Sequence, residues 1–273
     1  MDDIKMLLAK SCHKKDHIKT RKTLRIGTLH EYRKTETQEI ADKDEGMYKY
    51  SISFDGTMEI PNHWFNTFFD GFMGLPHTEE NAPINFPGTI EFEIKSLKII
   101  STEADHVVIQ DAVAKFKRNA LNAFIFCVSL VEEKNDCIDI FPHYDAYWYV
   151  DLHRREELGI AIGKLLLKKI IEEHAKGNHL IPKDTPMDNL QIMIVQSKVS
   201  YLPRSMHFNS ANKNSIEELI DKMQLMSFIK TPNFEHEKEY RFHFTILTEQ
   251  GQIVVPSVFD VILDAESITS FLV

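Results

Sequence analysis

The stretch "NAFIFCVSL", residues 122–130, constrains this chain more than any other. Its apolar residues are nearly continuous, so a strand here is covered on both faces and belongs in the middle of a sheet. Further strand signals stand around it. "TIEFEIKSLKII" (89–100) alternates at first, and "HVVIQ" (106–110), "DAYWYVDL" (145–152) and "LQIMIVQSKVSYL" (190–202) follow. "KEYRFHFTIL" (238–247), "QIVVP" (252–256) and "VFDVIL" (258–263) close the chain, and a short strand is expected at Leu24–Leu29. Two helices are legible. One starts near Arg154, places Leu158, Ala161, Ile162, Leu165, Leu166 and Ile170 on one face, and stops at Gly177. The other is "NSIEELIDKMQLMSFIK" (214–230), opened by a capping-box pattern of Ser215 and Glu218. Residues 34–50 read as a polar loop, and 60–88, rich in aromatics, Gly and Pro, as an irregular segment wrapped on the core. Strands do not alternate regularly with helices, which disfavours a doubly wound parallel sheet. The expectation is one α+β domain over residues 1–273, with a split, antiparallel-rich mixed sheet and few helices.

Composition narrows the class. The chain has 273 residues, 43% of them hydrophobic, enough for a real core. A formal net charge of -9 argues against broad, non-specific nucleic-acid binding but leaves room for a local basic cleft. The basic stretches "KKDHIKTRK" (14–22) and "AKFKRNA" (114–120) are the candidates for such contacts, set against the plainer reading of solvated faces. Three cysteines, Cys12, Cys127 and Cys137, make no disulfide framework and fit a reducing cytoplasm. The sequence carries no H-E-x-x-H and no C-x-x-C, so no metal site is expected. No apolar run reaches the roughly 18 residues of a membrane span, and no membrane partner is expected.

The usual nucleotide cradles and the hydrolase elbow are missing from the sequence. Three stretches remain. Arg25 lies on the early strand, with His30, Tyr32 and Arg33 close behind; an arginine fork suits a phosphate. The plainer alternative is a strand end paired with the acidic loop. Ser129 shares a strand face with Cys127 and stands where the apolar run gives out; the alternative is a small core residue. In "FEHEKEYRFHF" (234–244) Glu235, Glu237 and Glu239 occupy alternate positions. If extended, they share one side, and such crowding calls for a cation, a cationic transition state, or Arg241 and Arg25 to relieve it. The alternative is a solvated acidic loop.

Arginine on an early strand, serine on a middle strand and Glu-x-Glu entering a late strand resemble the Arg–Ser–Glu group of ADP-ribosyltransferases. The resemblance implies their split α+β sheet holding NAD in a central cleft. It identifies Arg25 with the arginine that supports the NAD phosphates and Ser129 with the serine bracing the nicotinamide-side ribose. Glu239 matches the catalytic glutamate and Glu237 the acid two residues before it; His30 and Tyr32 join the NAD site. The family's Ser-Thr-Ser stretch is here Cys127-Val128-Ser129, and the two glutamates are exchangeable in role. Tyr32, Trp64 and Phe65 are candidates to stack on nicotinamide. "RIGTLHEYR", "FIFCVS", "FPHYDAYWYVD" and "FIKTPNFEHEKEYRF" also resemble a wide family of uncharacterised bacterial proteins. The chain is similar in style to phage-defence toxins, including those of toxin–antitoxin–chaperone systems that modify RNA. This implies an RNA or protein acceptor and an antitoxin or chaperone partner. Two other readings compete: a non-enzymatic interaction module using the aromatic 64–75 stretch, and, third, a nuclease or hydrolase using the acids with a divalent ion.

Overall fold

The structure is a computed structural model that describes residues 6–34, 42–69, 72–75, 86–211 and 216–273, excepting the side chains at 34, 216 and 217. In chain order the strands are β1 (Leu7–Cys12), β2 (Thr23–Thr28), β3 (Met47–Pro61), β4 (Gly88–Thr102), β5 (His106–Ala120), β6 (Phe124–Val131) and β7 (Ala146–Asp151). Then follow β8 (Gln191–Lys198), β9 (Ser200–Tyr201), β10 (Ser205–Asn209), β11 (Ile229–Lys230), β12 (Glu239–Leu247), β13 (Ile253–Val254) and β14 (Asp260–Asp264). The α-helices are α1 (Ile18–Arg21), α2 (Leu29–Lys34), α3 (Asn62–Phe68), α4 (Arg155–Ala175) and α5 (Ile216–Gln224). This is an α+β chain with mostly antiparallel sheet and few helices.

Within the chain, packing distinguishes two compact units. The first comprises 1–45, 122–201 and 230–273. Its sheet runs β13-β12-β6-β1-β7, with β8 on the far edge of β12 and the β2–β14 pair joined to β6. The apolar run of 122–130 does form the central strand: β6 is bordered by β12 on one side and by β1 and β2 on the other. That second side is shared. Residues 129–131 of β6 pair with β1 and residues 124–125 pair with β2, which leaves Phe126, Cys127 and Val128 at a gap between the two neighbours.

One face of this sheet carries α4. Leu158, Ile162, Leu166 and Ile170 are buried as the helical spacing predicts, but the closest approach is made by glycines. A Cβ on Gly159 would stand 3.2 Å from Phe242, and one on Gly163 would stand 3.0 Å from Ile194. The helix therefore lies directly on β12 and β8, and Phe126, Phe242 and Phe244 fill the core beneath it.

The second unit comprises 46–121 and 202–229, with the sheet β10-β3-β5-β4. All its neighbours are antiparallel except β3 and β10, which run parallel. Tyr48, Tyr50, Ile52, Phe54, Phe116 and Phe208 face its interior. Several expectations need correction here. β3 begins at Met47, inside the expected loop of 34–50. "HVVIQ" is only the start of a 15-residue strand that includes the basic 114–120 stretch. There Arg118 is buried and donates to the Thr67 carbonyl, because alternation turns Ala114, Phe116 and Arg118 inward. The aromatic stretch also turns inward: Phe65, Phe68 and Phe69 are buried, while Phe72 is exposed. α3 gives helical form to part of 60–88. The capping box expected at Ser215 lies outside the described residues. Among the described residues no helix is long and apolar enough to cross a membrane.

Candidate functional site

A pocket of about 110 Å³ opens in the first unit at the gap between β1 and β2. That is several times the space one water needs and short of the roughly 300–1,000 Å³ of a drug-sized site. Its walls include Arg25, Tyr32, Ser129, Glu237 and Glu239. Five candidates scattered over more than 200 positions therefore meet at one cavity. His30 is not among the lining residues; its backbone N–H donates to Asn122 Oδ1 at 3.0 Å and fixes the start of α2. Arg33 reaches the Glu45 carbonyl instead. Trp64 and Phe65 belong to the second unit, Phe65 in its interior.

The expected strand at Leu24–Leu29 ends one residue early. Leu29 donates its N–H to the Ala123 carbonyl at 3.0 Å and opens α2, which turns Glu31 and Tyr32 back over β2. Gly27 makes room for that turn: a Cβ there would stand 2.5 Å from Glu31 Oε2. Glu31 then pairs with the Arg25 guanidinium, and Asp260 of β14 accepts from Arg25 Nε at 2.6 Å. Arg25 is thus engaged by two carboxylates, with about half of its side chain (53%) exposed.

The glutamates are arranged differently from the extended pattern. Residues 232–237 form a 3-10 turn, Lys238 takes the left-handed conformation at φ 47, and β12 starts only at Glu239. Glu235 is left exposed, while Glu237 and Glu239 fold onto one buried cation. That cation is Lys230, whose Nζ lies 2.6 Å from Glu237 and 2.8 Å from Glu239. Arg241 continues the chain, with Nε 2.7 Å from Glu239 and a terminal nitrogen 2.8 Å from Glu45. Arg241 relieves the crowding, as expected; Arg25 does not, and Lys230 takes its place. Tyr201 accepts the backbone N–H of Glu239 at 2.7 Å, and Glu239 stands opposite Ser129 in the β12–β6 register.

Three carboxyls share two cations in this network. Burial raises the Glu239 carboxyl, but Arg241 and Lys230 outweigh it and hold its pKa well below the usual range. Burial drives Glu237 up to about 7, and the neighbouring Glu239 adds to the rise against Lys230. A proton on Glu237 balances the network, and its Oε1 has no hydrogen-bond partner among the described residues. Burial opposes the charge of Lys230, yet Glu239 and Glu237 raise its pKa further. Cys127 is no nucleophile at neutral pH, since burial and Glu239 push its thiol up to about 12. Tyr32, which donates to Cys127 Sγ at 3.5 Å, is raised by burial as well.

Residues that the sequence reading missed complete the wall. Lys10 and Ser11 come from β1, a strand not foreseen, and Phe141 and Tyr144 from "FPHYDAYWYVD". Only the last carried a signal, its aromatic density. Among the described residues no group of three or more His, Cys, Asp or Glu is placed to hold a metal ion. Comparison with protein-family models, with curated proteins and with solved structures found no match.

Proposed function

We propose that this chain is an NAD-dependent ADP-ribosyltransferase, acting on RNA or, as the lesser case, on protein. The observation that carries the reading is the convergence of Arg25, Ser129, Tyr32, Glu237 and Glu239 on one cavity at a gap in an antiparallel sheet. A split sheet of the ADP-ribosyltransferase kind is part of this reading, and the sharing of one side of β6 by β1 and β2 supports it. On this reading the cavity takes the reacting end of the dinucleotide, and the rest extends through its mouth.

The chemistry follows from the charges. The bond from ribose C1′ to nicotinamide breaks, nicotinamide leaves with the electron pair, and C1′ bonds to an acceptor oxygen or nitrogen. Glu239, ionised, faces the positive charge that develops on the ribose. Glu237, whose pKa of about 7 leaves it ionised in part at neutral pH, takes the acceptor's proton in that ionised form. Ser129 braces the ribose, and Phe141, Tyr144 and Tyr32 offer faces and edges to the nicotinamide. The defence-toxin setting and an antitoxin or chaperone partner belong to the same proposal.

A second reading, a non-enzymatic binding module, is favoured by one observation: Glu239 already meets two cations. Incubating the purified chain with labelled NAD and cellular RNA or protein separates the two. Transfer of label, reduced by about 10²–10³-fold in Glu239→Gln, is expected of the transferase. No label and no released nicotinamide leaves the binding module.

A further inference from the structure

Of the cations that line the cavity, two are already matched. Arg25 holds Glu31 and Asp260, and Lys230 holds Glu237 and Glu239. Lys10 is the exception. Its Nζ donates to the Cys127 carbonyl at 2.9 Å, and it stands 5.4 Å from the centre of the Phe126 ring. Among the described residues no carboxylate lies within ion-pair distance of it. An ammonium has three donors, so that carbonyl leaves two of them unmatched. The place is specific. Cys127 is the middle residue of the β6 segment left at the gap, and Lys10 follows the last β1 residue paired to β6.

A second group points the same way. Ser11 lines the cavity, is buried, and its Oγ has no hydrogen-bond partner among the described residues. A buried hydroxyl without a partner and a part-buried ammonium without a counter-ion both carry desolvation costs that an anion would offset. Burial lowers the pKa of Lys10, and the attraction of Cys127 and Glu239 offsets only part of it.

We propose that Lys10, rather than Arg25, seats the anionic group of the ligand, a phosphate-class anion held by Lys10 Nζ at the gap between β1 and β2, with the Ser11 hydroxyl a further open donor on the same cavity wall. Arg25 then braces the wall by holding α2 and β14 through Glu31 and Asp260. The seat does not require the transferase reading, since any phosphate-bearing ligand of this cavity would use it.

The test is calorimetric titration of the intact chain with inorganic pyrophosphate and, in parallel, with ADP-ribose. Lys10→Gln keeps a donor for the Cys127 carbonyl while removing the charge, Lys10→Arg restores the charge, and Arg25→Gln serves as comparator. Far-UV circular dichroism checks that each variant is folded. The expected result is binding of both probes by the native chain, weakened about tenfold or more in Lys10→Gln. Lys10→Arg should recover most of it, and Arg25→Gln should change it by less than about threefold. No pyrophosphate binding by the native chain overturns the seat, as does unchanged binding in Lys10→Gln or an equal loss in Arg25→Gln. NAD turnover reports separately. Lys10-dependent pyrophosphate binding without turnover upholds the seat and removes the transferase, whereas turnover indifferent to Lys10→Gln does the reverse.

Discussion

Both units bury arginines, but in different company. In the second unit Arg118 donates to the Thr67 carbonyl and Arg204 to the Ile229 carbonyl, each tying down backbone beside an aromatic interior. In the first unit Arg241 meets Glu45 and Glu239, and Lys230 beside it meets two more carboxylate contacts. Carbonyls satisfy a guanidinium without gathering negative charge. Carboxylates, brought together in a buried place, must be balanced, and their protonation states become sensitive to anything that enters. Such arrangements cluster at functional sites. On the proposed reading the first unit's network faces the ligand, while the carbonyl contacts of Arg118 and Arg204 hold backbone.

The largest expected effect breaks the contrast at its centre. Arg241→Met leaves Glu45 and Glu239 buried without their shared cation and should cost about 3–5 kcal/mol of stability. Arg118→Met removes the hydrogen bond to the Thr67 carbonyl and should cost about 1–3 kcal/mol. Urea denaturation of both variants compares them directly; equal costs would end the distinction.

The pH dependence is a finer test. Folded Glu237 ionises near 7, whereas an ordinary Glu does so near 4.5. Between those values the folded state holds the extra proton, so stability falls as pH rises. Glu239 acts in the opposite sense at lower pH. Its folded pKa is depressed, so its contribution is present above 4.5 and fades as pH drops toward the folded value. Glu237→Gln should flatten the slope between pH 4.5 and 7 and leave the acid limb in place, as read from thermal melts across that range.

The smallest effect is expected at Arg25. Its side chain is half exposed, and solvent screens its pairs with Glu31 and Asp260. Arg25→Gln should therefore shift stability by about 1 kcal/mol or less. A cost approaching that of Arg241→Met would show that the two clusters do not differ in kind.

Much of this architecture was legible in order and pattern. The central position of 124–130, the helical face of 158–170 and the strand at 239–247 all follow from apolar periodicity, which local chain geometry converts directly into burial. The residue types of the site were also readable: Arg25, Tyr32, Ser129, Glu237 and Glu239 line one cavity. Their partners were not. That Arg25 would be claimed by Glu31 and Asp260 depends on a helix turning back over Gly27 and on a strand more than 200 residues later. That Glu237 and Glu239 would face one lysine depends on the left-handed Lys238, where extended alternation had suggested a different geometry for the three acids. Lys10 stood in an N-terminal stretch that carried no site signal, and the gap between β1 and β2 brings its ammonium to the cavity. Periodicity, then, determined which faces are buried, because it acts between neighbours in sequence. The tertiary structure decided which charges meet, because Coulomb interaction depends on distance in space and on burial, and neither is written in the spacing of residues along the chain.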